Sequence, residues 1–161
     1  MRWVIILVAL GGLVASSLAL REHHRVGSAP CDINEKWDCG TVNKSQFAVI
    51  GGIFEHTGPD VQPSPRKGIL SAIANIPVAD VGIAGYLLLA LLAFKRWWPA
   101  LAAASVVALG FSLYLAHIEK DVLGVWCIYC VISLGAISVI TLLSLVALGI
   151  NLRKKTESPQ G

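Results

Sequence analysis

Charge is what this chain has least of. Asp, Glu, Lys and Arg make up only 14% of its 161 residues, where a soluble domain carries about 25%. The 13 Lys and Arg stand in small separate groups, with no long basic or acidic run. Nucleic-acid binding, which needs a basic face or stripe, therefore finds no support. No internal repeat or low-complexity tract occurs, which excludes repeat architectures. Proline is confined as well. Five of seven, Pro30, Pro59, Pro63, Pro65 and Pro77, fall within residues 21–79. Cysteine is down to four, so any thiol chemistry rests on Cys31, Cys39, Cys127 and Cys130.

What is abundant is apolar: 55% of the residues are hydrophobic and the mean hydropathy is +0.69. That makes membrane the default class. Trp3–Leu20 is an uncharged apolar run of the length a bilayer span needs. A cleaved signal peptide is the competing reading, with Arg2 as its basic start and Ala15-Ser16-Ser17 near a cleavage site. The run is longer than a usual signal core, which favours a retained span. Further spans are expected over about 80–97, 99–118 and 126–150, with Asp80 as an N-cap and Pro99 restarting a helix. Glu119-Lys120-Asp121 is read as the turn between the last two. Residues 21–79 form the one long polar segment. Within it Thr41–Phe54 reads as a short helix capped by Thr41, too short to span and resting at the membrane surface.

The expectation is thus an all-α membrane protein of one domain, 1–161. It is a four-transmembrane-helix bundle with a periplasmic loop carrying a short interfacial half-helix. Arg2, Lys95-Arg96 and Arg153-Lys154-Lys155 share one side of this layout with a single acid, Glu157. The other side holds seven Lys/Arg and nine Asp/Glu. The positive-inside rule then puts both termini in the cytoplasm and all four cysteines outside, in a multi-pass membrane protein facing a periplasm, ER lumen or cell exterior. Cycling or stable disulfides suit that oxidising side.

The stretch Trp126-Cys127-Ile128-Tyr129-Cys130 opens an uncharged segment reaching Ile150. Two cysteines three apart share a side of a helix's first turn, where free N–H groups and the helix dipole favour a thiolate. Thiolate is the reactive form, so the pair reads as a dithiol/disulfide switch at a membrane helix's mouth. Leu134 and Ile137 follow Cys130 on the same face and make an apolar pocket edged by sulfur. Cys31 and Cys39, seven residues between them, form a small ring placed to meet a water-soluble protein. Two such pairs can pass two electrons by successive thiol–disulfide exchange. A lipid-soluble quinone suits the far end, because it takes two electrons and two protons.

Cys31-Asp32, Cys39 eight residues on, Ser45 six further, and Cys127-Ile128-Tyr129-Cys130 opening the last helix together resemble the vitamin K epoxide reductase family in its bacterial single-domain form. The order is opposite to the DsbB type, where the C-x-x-C pair comes first. The resemblance implies a four-helix bundle around a quinone, ubiquinone or menaquinone, capped by the half-helix. It implies that Cys130 lies next to the quinone ring, with Cys127 its exchange partner. Cys39 would carry electrons to Cys127 through a transient disulfide, Cys31 would face the protein substrate, and Ser45 would stand near the quinone pocket. The animal enzymes carry a tyrosine four residues after the last motif cysteine. Here Leu134 stands there, and no asparagine aligns with their other hydrogen-bonding residue. Both departures favour plain quinone reduction over vitamin K epoxide. No fused thioredoxin-like domain accompanies the motif, so the expected partner is a separate DsbA-like thioredoxin-fold protein. The chain is then a disulfide-forming quinone oxidoreductase. The alternative is a non-catalytic membrane scaffold with structural disulfides.

Other candidates carry less. His23, His24 and His56 lack zinc-site spacing with the loop cysteines. His117 reads as an interfacial residue, and Asp32 and Asp38 as tuning groups or solvated ones. Trp3, Trp97, Trp98 and Trp126 read as membrane-interface anchors.

Overall fold

The computed structural model describes residues 1–27, 30–34, 36–54 and 73–157. Most of the polar loop's proline-rich part, with His56, lies outside them. The described residues are helical, with no strand beyond isolated bridges. The N-terminal apolar run folds as α1, Arg2–His24. Two short helices follow, α2 at Cys39–Lys44 and α3 at Ile50–Phe54, with a 3₁₀ turn at Gln46–Ala48 between them. The remaining helices are α4, Val78–Phe94, α5, Trp98–His117, and α6, Ile128–Glu157.

α1, α5 with its extension, and α6 are each long and apolar enough to cross a membrane. At 1.5 Å per residue α1 is about 34 Å long, against a hydrocarbon core of about 30 Å. α4 is apolar too but has 17 residues, about 25 Å. The protein is an all-helical membrane bundle. α1 packs against α4 and α6, and α5 against α6. Ile5 and Ala9 of α1 meet Ala93, Trp98, Leu101 and Ala147 in one core. The start of α1 therefore shares a bundle end with the end of α4, the start of α5 and the end of α6. That end carries Arg2, Lys95, Arg96, Arg153 and Lys154. The four cysteines lie at the other.

With little hydrophobic drive between helices in lipid, small residues and interhelical hydrogen bonds do the joining. The Ser105 and Ser144 hydroxyls meet at 2.9 Å between α5 and α6, and Thr141 Oγ1 reaches the Ser105 carbonyl at 3.1 Å. Between α1 and α4 the Tyr86 ring packs over Gly12, where an added Cβ would clash with it. Tyr86 is buried, and its hydroxyl donates to the Ser133 carbonyl at 2.7 Å. A Gly12→Ala change is expected to push that ring off α6 and cost about 1–3 kcal/mol. Thermal unfolding in detergent checks it, with Gly11→Ala as control, since nothing lies within 4 Å of a Cβ at Gly11. Equal midpoints for the two variants would refute this account of the α1–α4 contact.

Several local expectations are corrected. The stretch 41–54 is not one helix capped by Thr41. Asp38 is the N-cap of α2, accepting from the Thr41 N–H at 2.7 Å and its hydroxyl at 2.6 Å. Ser45, extended at ψ 161°, then ends the helix. Pro77, not Asp80, caps α4, and Asp80 sits in its first turn, where the dipole favours an acid. Glu119-Lys120-Asp121 does not turn the chain. The helix runs on as a wide π turn, Ile118–Leu123, and stops at Gly124, whose φ of 68° suits a residue without Cβ. Trp98 is buried in the core, whereas Trp3 and Trp97 are exposed.

Candidate functional site

α2 is the piece that brings the two cysteine pairs together. Its cap, Asp38, is held below the ordinary carboxylate range by the Thr41 hydroxyl and then the Thr41 N–H. That fixes Cys39 at the first helical position. The segment before it is tied to the one before α6: the Trp126 N–H donates to the Lys36 carbonyl at 2.8 Å, and the Asp38 N–H to the Trp126 carbonyl at 3.2 Å. Trp37 and Trp126 thereby form a short parallel bridge. Trp126 docks the loop on the C-x-x-C motif through its backbone. Asp32 helps from the other side, its Oδ1 accepting the Gly40 N–H at 3.1 Å.

The result is one buried cluster of Cys31, Cys39, Val42 and Cys127, with Tyr129 and Cys130 packed against it. Cys31 and Cys39 are joined as a disulfide, while Cys127 and Cys130 are free thiols. Cys39 and Cys127 are both fully buried, and Cys31 is 6% exposed. The loop pair is thus not the open, wet ring that its polar surroundings suggest, because α2 presses it onto the helix pair.

Cys127 lies one residue ahead of α6, and Cys130 in its first turn. The Cys127 thiol is held below its ordinary value by the Cys130 thiol first, then the Cys130 N–H and the Asn43 amide, against the opposing effects of burial and the Glu119 charge. Asn43 Nδ2 lies 3.5 Å from Cys127 Sγ and donates to the Cys39 carbonyl at 2.9 Å. The His23 Nδ1–H donates to the Asn43 carbonyl, tying the end of α1 to α2. Glu119, also buried, accepts the Cys127 N–H at 3.1 Å.

Beside the cluster, at the same bundle end, is a cavity of about 430 Å³. Cys130, Leu134 and Ile137 line it from α6, and Ser45 from the end of α2. The lining is otherwise mostly apolar, drawn from α1, α4, α5 and the 3₁₀ turn that covers it. This size and character belong to small-molecule sites. Ser45 spends its hydroxyl proton on the Val42 carbonyl at 2.8 Å, which leaves it an acceptor toward the cavity. Cys31, Cys39 and Cys127 do not line it.

Asn43, Tyr86 and Glu119 line the cavity too, and none stands out in the sequence as a site residue. Glu119 was the findable one. An acid inside an apolar segment marks function by default, but its neighbours Lys120 and Asp121 disguise it as a turn. His117 pairs with Asp121, Nδ1 to Oδ2 at 2.6 Å, away from the thiols in an exposed position.

Compared with known proteins, the chain matches the family model described as "Vitamin K epoxide reductase family" over residues 3–146. No curated protein matches it.

Proposed function

Because this chain belongs to the vitamin K epoxide reductase family, an oxidoreductase family acting on disulfides, we propose that it reoxidises a DsbA-like thioredoxin-fold protein and delivers the electrons to a membrane quinone. The observation that carries the reading is the single cluster of four cysteines whose last member, Cys130, edges an apolar cavity. A reduced partner would attack the Cys31–Cys39 disulfide, leaving two loop thiols. Cys39 would then attack Cys127 of an oxidised helix pair, and Cys31 would release it. Two electrons move with each exchange and no atom is lost.

A quinone bound in the cavity supplies a two-electron, two-proton acceptor. Cys130, Ser45, Leu134 and Ile137 would hold it, and the sparse polar lining fits a largely apolar ring and tail. α2 and the 3₁₀ turn would exclude water from the exchanging sulfurs. We place the cysteine end outside and both termini in the cytoplasm, on the strength of the basic residues at the opposite end.

Purified protein given a reduced thioredoxin-fold dithiol and either ubiquinone or menaquinone is expected to form one partner disulfide per quinone reduced. In vesicles that keep the cellular orientation, partner added outside is oxidised and enclosed partner is not. Failure with both quinones would overturn the coupling and leave the scaffold reading. Oxidation of enclosed partner alone would reverse the orientation.

A further inference from the structure

Exchange between sulfurs needs no acid, so the relay leaves one buried ionisable group without a task. Glu119 is 4% exposed. One carboxylate oxygen accepts the Cys127 N–H at 3.1 Å, at the mouth of the helix that carries the Cys130 thiol in its first turn. It lines the cavity alongside Cys130. Among the described residues no Lys or Arg pairs with it. Burying a carboxylate without a cation is costly, and the wide π turn that delivers it is itself an uncommon, function-associated geometry.

We propose that Glu119 is the proton acceptor for Cys130, carrying the thiol proton from sulfur to the cavity. The inference rests on the quinone-coupled reading of the same site. Oxidation of the Cys127/Cys130 dithiol to a disulfide releases two electrons and two protons. Both electrons go to the quinone. The Cys130 proton passes to the Glu119 carboxylate and from there to a reduced quinone oxygen. The Cys127 proton leaves to water, and water supplies the second proton at the other oxygen. The groups facing Glu119 are few. Cys130 and Tyr129 approach from α6 and Cys127 from just ahead of it, Tyr86 of α4 and His23 of α1 share the cavity lining, and His117 at the end of α5 pairs with Asp121 of the π turn in an exposed position. Among the described residues no other carboxylate lines the cavity.

Glu119→Gln is the test, because the amide oxygen still accepts the Cys127 N–H while the group no longer carries a proton. With no quinone present, alkylation of Cys130 in a Cys127→Ser background is followed against pH. The Glu119 form is expected to show two ionisations, and Glu119→Gln to lose the one that follows the carboxyl. With quinone, Glu119→Gln slows dithiol oxidation about a hundredfold, the scale of a lost general base. A purely structural Glu119 would leave both the profile and the rate unchanged in Glu119→Gln, and that result overturns the proposal. The quinone-free profile decides on Glu119 even if no quinone is reduced by either form, an outcome that sinks the coupling alone.

Discussion

Cys39→Ala stops the oxidation of a protein dithiol while a small dithiol still reduces Cys127–Cys130. The reason is cover. Cys127 is fully buried beneath α2 and the Trp37–Trp126 bridge, so a folded partner has no path to it. Cys39 is its close neighbour in the one cluster that holds both pairs. A small dithiol does not need Cys39, because Cys130 edges a cavity wide enough for a small molecule. The expected loss toward the protein partner is about a thousandfold or more, as for other covalent nucleophiles, with the small-dithiol rate within a few-fold of the parent. Stopped-flow oxidation with each donor measures the two rates. Normal oxidation of the protein partner by Cys39→Ala would end the two-pair relay. The burial of Cys31, at 6% exposed, adds that a partner must loosen the segment between Cys31 and α2 before it can attack.

The helices and their order could be read from the sequence, because long uncharged runs in a chain this poor in charge have few other fates. Cys130, Leu134 and Ile137 could be placed on one face for the same reason: spacings of four and seven survive in any regular helix. The cap was harder. Asp38 starts α2 three residues early, and the extended Ser45 and Val49 break what looks like one helix over 41–54, so local capping chemistry decided against the apolar periodicity. Least legible was the docking of the loop. The Trp126 N–H to Lys36 carbonyl bond joins residues 90 apart through backbone atoms alone, and such a bond leaves no side-chain signature. The same holds for Asn43, an ordinary polar residue until α2 turns its amide toward Cys127.

That amide carries the last expected result: Asn43→Leu shifts the reactivity of Cys127 to higher pH. Asn43 is buried and gives its Nδ2 protons to the Cys39 carbonyl and to Cys127 Sγ. It is one of the groups that hold the Cys127 thiol below its ordinary value, behind the Cys130 thiol and N–H. Leucine has the same branched heavy-atom outline and no donor, so the thiolate loses a hydrogen bond without leaving a cavity. A bond worth about 1 kcal/mol lowers the thiolate fraction near neutral pH about fivefold. Asn43→Asp should do more, since it removes the donor and sets a carboxylate against the sulfur, a further drop of about tenfold or greater. The sign follows from which form is charged: whatever disfavours the thiolate raises the pH at which it appears. Alkylation rate against pH, in a Cys130→Ser background where the serine hydroxyl still donates, assigns the readout to one thiol. A merely structural Asn43 would lower the melting temperature and leave the midpoint of that profile in place, and such a result would remove Asn43 from the chemistry of the relay.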